Sequence, residues 1–209
     1  MEPLIESPTG SVHQSGPHCA ELRINCASYG PHGAGALMSY AITPSPCGRL
    51  LIAATAHGIC WIGIHESAAY LEAEIRRDYP EAQVSRDDAI GAAYGRPIIA
   101  AVTDPSSTLD LALDIRATPF QLSVWQQLCA IPRGTTRSYG EIAQRLGRPQ
   151  ASRAVGHANG ANPVAIIIPC HRAIGANGGL TGYRWGVGIK QRLLEAEGAI
   201  PQRGLAATG

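Results

Sequence analysis

The chain has 209 residues, of which 45% are hydrophobic and 16% charged, and its formal net charge is +1. No apolar run approaches the roughly 18 residues that a membrane-spanning helix needs, and the N-terminus lacks the basic and apolar regions of a signal peptide. We therefore expect neither an integral membrane protein nor a small disulfide-stabilised scaffold nor a wholly disordered chain.

Charge is divided unevenly along the chain. Residues 1–117 hold 7 basic and 13 acidic side chains, whereas residues 118–209 hold 10 basic and 3 acidic ones. The second half is therefore suited to attract a polyanion, although two ordinary solvated faces would give the same counts.

The cysteines have irregular spacing and include no Cys-x-x-Cys pair. This pattern predicts no zinc site and no disulfide framework, so we expect no metal and no cofactor. Most of them are expected to be small buried hydrophobic residues. The six are Cys19, Cys26, Cys47, Cys60, Cys129 and Cys170.

The first half predicts a flexible arm over residues 1–36 and an α/β domain over residues 37–117. Three short apolar segments separated by turns predict an antiparallel meander with strands at Leu37–Thr43, Arg49–Thr55 and Ile59–Ile64. The other predicted elements are helices over Glu66–Asp78 and within residues 86–103, and an edge strand over Leu109–Ile115.

The second half, residues 118–200, is predicted to be mainly helical and to end in a tail over residues 201–209. A helix should run from Pro119 to about Ala130, with its apolar face inward at Val124, Trp125 and Leu128.

A capping box follows, because Ser138 precedes Glu141 by three residues at the start of a short helix. A tight turn separates that helix, which ends near Leu146, from a further helix over Gln150–Asn159. Two short helices across such a turn predict a helix-turn-helix, although a plain helical hairpin has the same pattern.

The strongest chemical signal is a Cys-His pair. The continuous apolar run Val164–Ile168 predicts a buried strand or extended segment that leads to Cys170 and His171. A thiolate is the nucleophilic form of cysteine, so the site needs a base, which His171 can supply.

A third group should orient the imidazole. The only acidic residues after position 150 are Glu195 and Glu197, both on a helix predicted over Gly188–Glu197.

Other interpretations of the pair are a cysteine that only packs, a thiol hydrolase, and a protein that binds DNA without chemistry. A thiol hydrolase usually has its cysteine at a helix N-terminus and its histidine far away in the sequence. A pure binder would lack the reactive cysteine.

The run Asn162–Arg172, followed by Gly182–Gly186, resembles the O6-alkylguanine-DNA alkyltransferases, also called methylated-DNA–protein-cysteine methyltransferases. The resemblance covers roughly residues 36–199, and its motifs match in order and spacing over residues 119–198. Gly182–Val187 looks most like the catalytic half of the bacterial adaptive-response alkyltransferase. The cysteine cluster of that protein's phosphotriester-repairing zinc domain does not occur here.

This resemblance implies an α+β fold. A ribonuclease-H-like domain with a three-stranded antiparallel sheet and helices would precede a mainly helical domain of the winged helix-turn-helix kind. It also implies direct-reversal repair of double-stranded DNA, in which O6-alkylguanine and O4-alkylthymine are flipped out and lose their alkyl group to Cys170 in a single turnover. We expect a monomer that acts in the cytoplasm, at the nucleoid, without a membrane.

Site residues follow from the same resemblance. His171 would help to deprotonate Cys170 through a water, and Glu197 would orient His171, since Glu195 lies about 200° away around the helix. Asn162 would frame the turn. The substrate pocket would be lined by Tyr139, Ala173, Tyr183, Arg184 and Lys190. Arg184 stands where some members have a small polar residue, which leaves the pocket width open.

DNA contacts are expected from the second helix of the helix-turn-helix, inserted in the minor groove. Arg153 would fill the gap left by the flipped guanine, and small side chains would allow close approach of the helix. The other expected contacts are Ala151, Ser152 and Gly156 on the helix, with Arg137, Arg145 and Arg148 on phosphates.

Overall fold

The computed structural model describes residues 23–107, 109–180 and 182–201. In these ranges the α-helices are α1 (Ala68–Asp78), α2 (Asp88–Thr103), α3 (Pro119–Cys129), α4 (Tyr139–Arg145), α5 (Ser152–Gly160) and α6 (Val187–Ala196). The strands are β1 (Arg23–Cys26), β2 (Leu37–Ser45), β3 (Gly48–Thr55), β4 (Gly58–His65), β5 (Gln83–Arg86), β6 (Ala112–Ile115), β7 (Arg137–Ser138) and β8 (Ala173–Ile174). No helix among these residues is long and apolar enough to cross a bilayer.

The predicted α+β fold is confirmed, and its sheet is larger than expected. β2, β3 and β4 form the predicted antiparallel meander at the centre of a six-stranded sheet with the order β1-β6-β4-β3-β2-β5. The added strands pair in parallel, β5 with β2 on one side and β6 with β4 on the other. The central strands of the sheet are almost fully excluded from solvent. Their buried residues are mainly Ala, Ile and Leu, which are among the residue types most often buried in proteins.

The predicted edge strand is wrong in its position. β6 lies inside the sheet, between β4 and β1, and pairs with β1 over its whole length. Its Asp114 is fully buried. The carboxylate accepts hydrogen bonds from Ser28 and Thr55, which offset the cost of removing it from water. Asp114 in the predicted alternation is therefore a buried, bonded carboxylate and not a solvent-facing one, whereas Asp110 is exposed.

The predicted arm over residues 1–36 is also wrong in its C-terminal part. β1 and a 3-10 turn at Pro31–Gly33 belong to the folded domain, and Tyr29 is buried. Residues 1–22 lie outside the described residues, as do residues 202–209 of the predicted tail, and the predicted domain boundaries stay predictions.

The helices of the second half follow the local patterns. Val124, Trp125 and Leu128 are the buried residues of α3, as predicted. The capping box of α4 is present, since the Ser138 side chain accepts from the Glu141 amide and the Glu141 carboxylate accepts from the Ser138 amide. The Trp125 indole donates to the Ala158 carbonyl at 2.8 Å and so ties α3 to α5.

The apolar run before Cys170 is buried as predicted but is not a regular strand. Only Val164 forms a β-bridge, to Ile62 of β4, and the chain then turns sharply. Ile166 has a φ of 74°, and the Ile167 amide bonds the Ala165 carbonyl, which makes a γ-turn. A β-branched residue is strained in this region, so the surrounding contacts must hold it there.

Candidate active site

Asn162 organises the segment that carries the cysteine. Its amide donates to the Ile168 carbonyl at 2.8 Å, and its side-chain oxygen accepts from the Val164 amide at 3.0 Å. These two bonds close a loop on the buried residues between them, while the Ile62 amide holds the Pro163 carbonyl from β4. The segment is thereby clamped from within and from the sheet, which stabilises the strained backbone at Ile166.

Cys170 begins a 3-10 turn, Cys170–Arg172, directly after this clamped segment. The residue is only 5% exposed, and burial raises the pKa of its thiol. Asn162, Lys190 and Tyr183 act in the opposite direction, because each favours the thiolate by a hydrogen bond or by positive charge. The raised pKa keeps the resting thiol protonated at neutral pH, so nucleophilic attack requires a proton acceptor.

His171 directly follows Cys170 in the chain. It is buried, and its Nε2 lies 2.9 Å from Oε1 of Glu197. Among the described residues its Nδ1 is buried without a hydrogen-bond partner. The imidazole therefore has one nitrogen held by a carboxylate and the other available for proton exchange.

Glu197 is held from two sides. Besides His171, the Arg172 guanidinium donates to both carboxylate oxygens, Nε to Oε2 at 2.8 Å and a terminal nitrogen to Oε1 at 2.9 Å. Burial alone raises the pKa of Glu197, but His171 and Arg172 outweigh it and hold that pKa well below its usual range. The carboxylate consequently remains charged in the folded protein at any pH near neutral.

Local structure brings Glu197 to this point. Glu197 is the C-cap of α6, and Gly198 follows with a φ of 75°, a conformation that favours glycine. The Gly198 amide bonds the Glu195 carbonyl and the Ala199 amide bonds the Leu194 carbonyl, which is a Schellman motif. Glu195 lies on the more exposed side, where its carboxylate accepts from Gln191.

A pH dependence of stability follows from the lowered pKa of Glu197. A carboxylate with a lowered folded-state pKa stabilises the protein above its unfolded pKa, about 4.3 for Glu, and this contribution is lost as the pH falls through the folded value. We expect wild type to be more stable than Glu197→Gln at pH 7 and the gap to narrow below about pH 4. Urea unfolding of both proteins across this range measures it, and a constant gap would contradict it.

Two tyrosines lie near the Cys170 thiol. The Tyr183 hydroxyl is buried beside Cys170, and with no other partner among the described residues it can donate to the thiolate of Cys170. Burial and the neighbouring Cys170 raise the pKa of Tyr183 well above its usual value, so it is a donor. Tyr139 lies near the same thiol, and its hydroxyl is 3.5 Å from the Gly182 carbonyl.

Lys190 lies near the same thiol and contacts Ala173. The fully buried Lys190 ammonium donates to the Ala173 carbonyl at 2.6 Å. Burial lowers the pKa of Lys190 to about 8, while Cys170 acts to raise it. Lys190 is therefore mostly charged at neutral pH and adds positive potential near the thiol.

Arg184 is held by the first half of the chain. Its guanidinium is bonded to carboxylates of α1, Glu74 at 3.3 Å and Asp78 at 2.5 Å. No contact of Arg184 with Cys170 is present among the described interactions, and its assignment as a pocket-lining residue stays a prediction.

The helix-turn-helix consists of α4 and α5, packed on α3. Along α5 the side chains of Val155, Ala158 and Asn159 are buried, whereas Arg153 is exposed. Ala151, Ser152 and Gly156 are partly exposed beside it. α5 ends two residues before Asn162, so the exposed helix is joined directly to the segment that holds the cysteine.

The other arginines predicted to contact DNA differ in the exposure of their side chains. Arg148 is exposed, and its guanidinium lies 5.6 Å from the centre of the Phe120 ring. Arg137 is half-buried on β7, where burial and the nearby Arg145 lower its pKa while Glu141 raises it. One terminal nitrogen of Arg137 is buried without a partner among the described residues, so it is poorly satisfied within the protein.

Two arginines were missed by the sequence reasoning. Arg172 was quoted only as part of a motif, yet it grips Glu197 and donates to the Ile131 carbonyl. Arg133 donates to the carbonyls of Ala101 and Ala196, and so joins the ends of α2 and α6. The adjacency of Arg172 to His171 was a usable signal, whereas Arg133 had none.

The thiols and acids of the described residues form no cluster able to hold a metal ion. Cys47 and Cys60 are buried, as expected of packing cysteines. Cys19 lies outside the described residues.

Comparison with known sequences gives one consistent group. The family described as 6-O-methylguanine DNA methyltransferase, DNA binding domain, matches residues 119–199. The methylated-DNA–protein-cysteine methyltransferase of Methanosarcina acetivorans is 43% identical over 162 residues, which cover 78% of this chain and 99% of that protein.

The bifunctional transcriptional activator/DNA repair enzyme Ada of Escherichia coli is 41% identical over 171 residues, or 82% of this chain. The match takes in 48% of that protein, and it takes in 45% of the regulatory protein Ada of Salmonella typhimurium. The chain thus spans about half the length of the Ada proteins that it matches.

Among solved structures, the OGT of Mycobacterium tuberculosis in complex with DNA aligns with a TM-score of 0.64 and 40% identity, covering 77% of this chain and 93% of that one. The O6-methylguanine methyltransferase of the same organism aligns with a TM-score of 0.65 and 38% identity, covering 78% and 94%.

Proposed function

Because this chain belongs to the methylated-DNA–protein-cysteine methyltransferase family of DNA repair enzymes, we propose that it removes the alkyl group from O6-alkylguanine in DNA and retains it on Cys170. One observation supports this most directly. A buried thiol lies in a clamped turn beside a His171–Glu197 pair, and the exposed helix α5 leads straight into that turn. The same site would accept O4-alkylthymine, whose alkyl-oxygen bond has the same chemistry.

The reaction is a displacement at the alkyl carbon. His171 takes the Cys170 proton, directly or through one water, and the charge of Glu197 stabilises the imidazolium that results. The thiolate then attacks the alkyl carbon, a carbon–sulfur bond forms and the carbon–oxygen bond to guanine breaks. The guanine leaves with the electron pair and takes up the proton that His171 accepted, relayed through water, so that unmodified guanine, a thioether and a neutral imidazole are the products.

Other side chains serve the leaving base and the thiolate. The Tyr183 hydroxyl is a donor that can reach the departing oxygen, and charge develops there as the bond breaks. Lys190 adds positive potential while its amine is protonated, and it fixes the Ala173 carbonyl, which can accept from the guanine edge. A thioether offers no leaving group comparable with guanine, so each protein molecule would react once.

DNA would be bound by the basic second half. A thiolate cannot reach O6 inside the stack, so the nucleotide must be extruded, at a cost least for a damaged pair. Arg153 is exposed near the start of α5 and can enter the space that the base leaves. We propose that Ala151, Ser152 and Gly156 allow close approach in the minor groove, while Arg137 and Arg148 contact phosphates.

This role of Arg153 gives a specific expectation. Arg153→Ala should slow repair of duplex DNA far more than reaction with a free O6-alkylguanine base, because only the duplex needs the extruded state held open. Single-turnover rates on both substrates measure the difference, with Arg148→Ala as a phosphate-contact control that lowers affinity and its salt dependence. Equal losses on both substrates would assign Arg153 a structural role.

The experiment for the function itself is intact-mass measurement after incubation with duplex DNA carrying O6-methylguanine. Transfer adds one methyl group to the protein, and peptide mapping should place it on Cys170. A thiol hydrolase would show no stable mass gain, and a pure binder would shift the DNA in a gel without changing mass. We further propose a monomer acting on DNA in the cytoplasm, which sedimentation and cell fractionation test.

A further inference from the structure

Arg184 links the loop that carries Tyr183 to the first half of the molecule. Its guanidinium lies between Glu74 and Asp78, one helical turn apart on α1. The Arg184 side chain is 22% exposed and that of Glu74 only 6%, so this ion pair is shielded more than a surface pair. Contacts of this kind restrain geometry more reliably than solvated pairs do.

Aromatic rings hold the same guanidinium in place. It lies 4.8 Å from the centre of the Trp185 ring and 5.9 Å from that of Trp61 in β4. The two indoles contact each other edge to face at 5.3 Å, and the Trp61 nitrogen donates to Asp78. Arg184 is therefore the centre of a cluster in which Trp61, Trp185 and Asp78 each contact at least one other member besides the guanidinium.

The loop between Gly182 and Gly186 is otherwise held by the Tyr139 hydroxyl, at the Gly182 carbonyl, and by a turn of its own. Its two end glycines have φ values of 60° and 93°, and the Gly186 amide bonds the Tyr183 carbonyl in a turn. Tyr183 directly precedes Arg184, and its hydroxyl is buried next to the Cys170 thiol. A backbone shift at Arg184 would thus displace the tyrosine that borders the reacting atoms.

We propose that Arg184 is a positioning residue that holds this loop against α1 and thereby sets the size of alkyl group that the pocket accepts. The inference rests on the proposed function, since it concerns the space between Tyr183 and Cys170. With the tether intact, the loop holds Tyr183 close and favours a methyl group. When the ion pairs of Arg184 are removed, the loop moves Tyr183 away from Cys170. The larger space slows methyl transfer and reduces the steric cost of a bulky alkyl group.

The test compares O6-methylguanine with O6-benzylguanine in the same duplex, by single-turnover rates at saturating protein. For Arg184→Ser we expect the benzyl-to-methyl rate ratio to rise by about tenfold, a change typical of altered pocket space. Glu74→Gln/Asp78→Asn, which leaves the loop sequence intact, should reproduce that rise. Adding Arg184→Ser to this double variant should then change the ratio little, because both ends of one contact have been removed.

A matched control is Arg192→Ser, which removes another long-range arginine–carboxylate pair, with Glu66, and should keep the wild-type ratio. Equal losses on both adducts, or a wild-type ratio in the carboxylate variant, would overturn the inference. If wild type methylates Cys170 but the ratio never moves, only this inference fails. If wild type transfers no alkyl group, the proposed function fails and this inference falls with it.

Discussion

Replacing Cys170 with alanine is expected to abolish alkyl transfer while leaving affinity for alkylated DNA largely unchanged. The thiol is the only nucleophile in the clamped turn, and it is buried, so it contributes little to the DNA-facing surface. Cys170→Ala removes one sulfur from a site held by backbone and Asn162 bonds, which should survive the change. Intact mass and DNA binding, measured on the same preparation, give both results.

Cys129→Ala is the matched control, because Cys129 is half-buried at the end of α3 and should leave transfer intact. Wild type should gain one alkyl group per molecule and then stop. Clearance of methyl groups by Cys170→Ala, or turnover of many equivalents by wild type, would refute Cys170 as the acceptor.

The second large effect is expected at Glu197. Glu197→Gln should lower the transfer rate by at least about tenfold, as mispositioned members of catalytic triads do. A neutral amide can still accept from one nitrogen, but it cannot stabilise the imidazolium that forms when His171 takes the thiol proton. Single-turnover rates across a range of pH measure the loss in the reaction itself.

Folding must be separated from chemistry in this variant. Glu197 also neutralises the buried Arg172, and removing one partner of a buried ion pair typically costs about 3–5 kcal/mol. Glu195→Gln is the control, since Glu195 is more exposed and does not contact His171 among the described interactions. A folded Glu197→Gln protein with the wild-type rate and pH profile, together with a defective Glu195→Gln, would move the orienting role to Glu195.

Elements set by near neighbours could be predicted from the sequence. The capping box at Ser138 and Glu141 depends on residues three apart, and the end of α6 depends on Gly198. The meander of β2, β3 and β4 was predictable for the same reason, because short turns leave few ways to pair consecutive apolar strands. These interactions are complete within a few residues of chain.

Features made by distant parts of the chain were not accessible in this way. β1 pairs with β6, nearly ninety positions away, and this pairing turned a predicted edge strand into an interior one. The run before Cys170 was correctly predicted to be buried, yet its γ-turn arises from contacts with Asn162 and with β4. Apolar composition specifies burial, but it does not specify the path of a backbone that other elements hold.

The active site also combines features that the sequence predicts with features that only tertiary packing produces. Residue types singled out Cys170 and His171, because a thiol nucleophile needs a base, and they left Glu195 and Glu197 as the possible orienting acids. The family resemblance then implied Glu197. The environment that shifts the pKa values of Cys170 and Glu197 came only from packing, which brings Lys190 and Arg172 into a buried space. The tether of Arg184 to α1 joins residues more than one hundred positions apart, and only the folded chain brings those charges together.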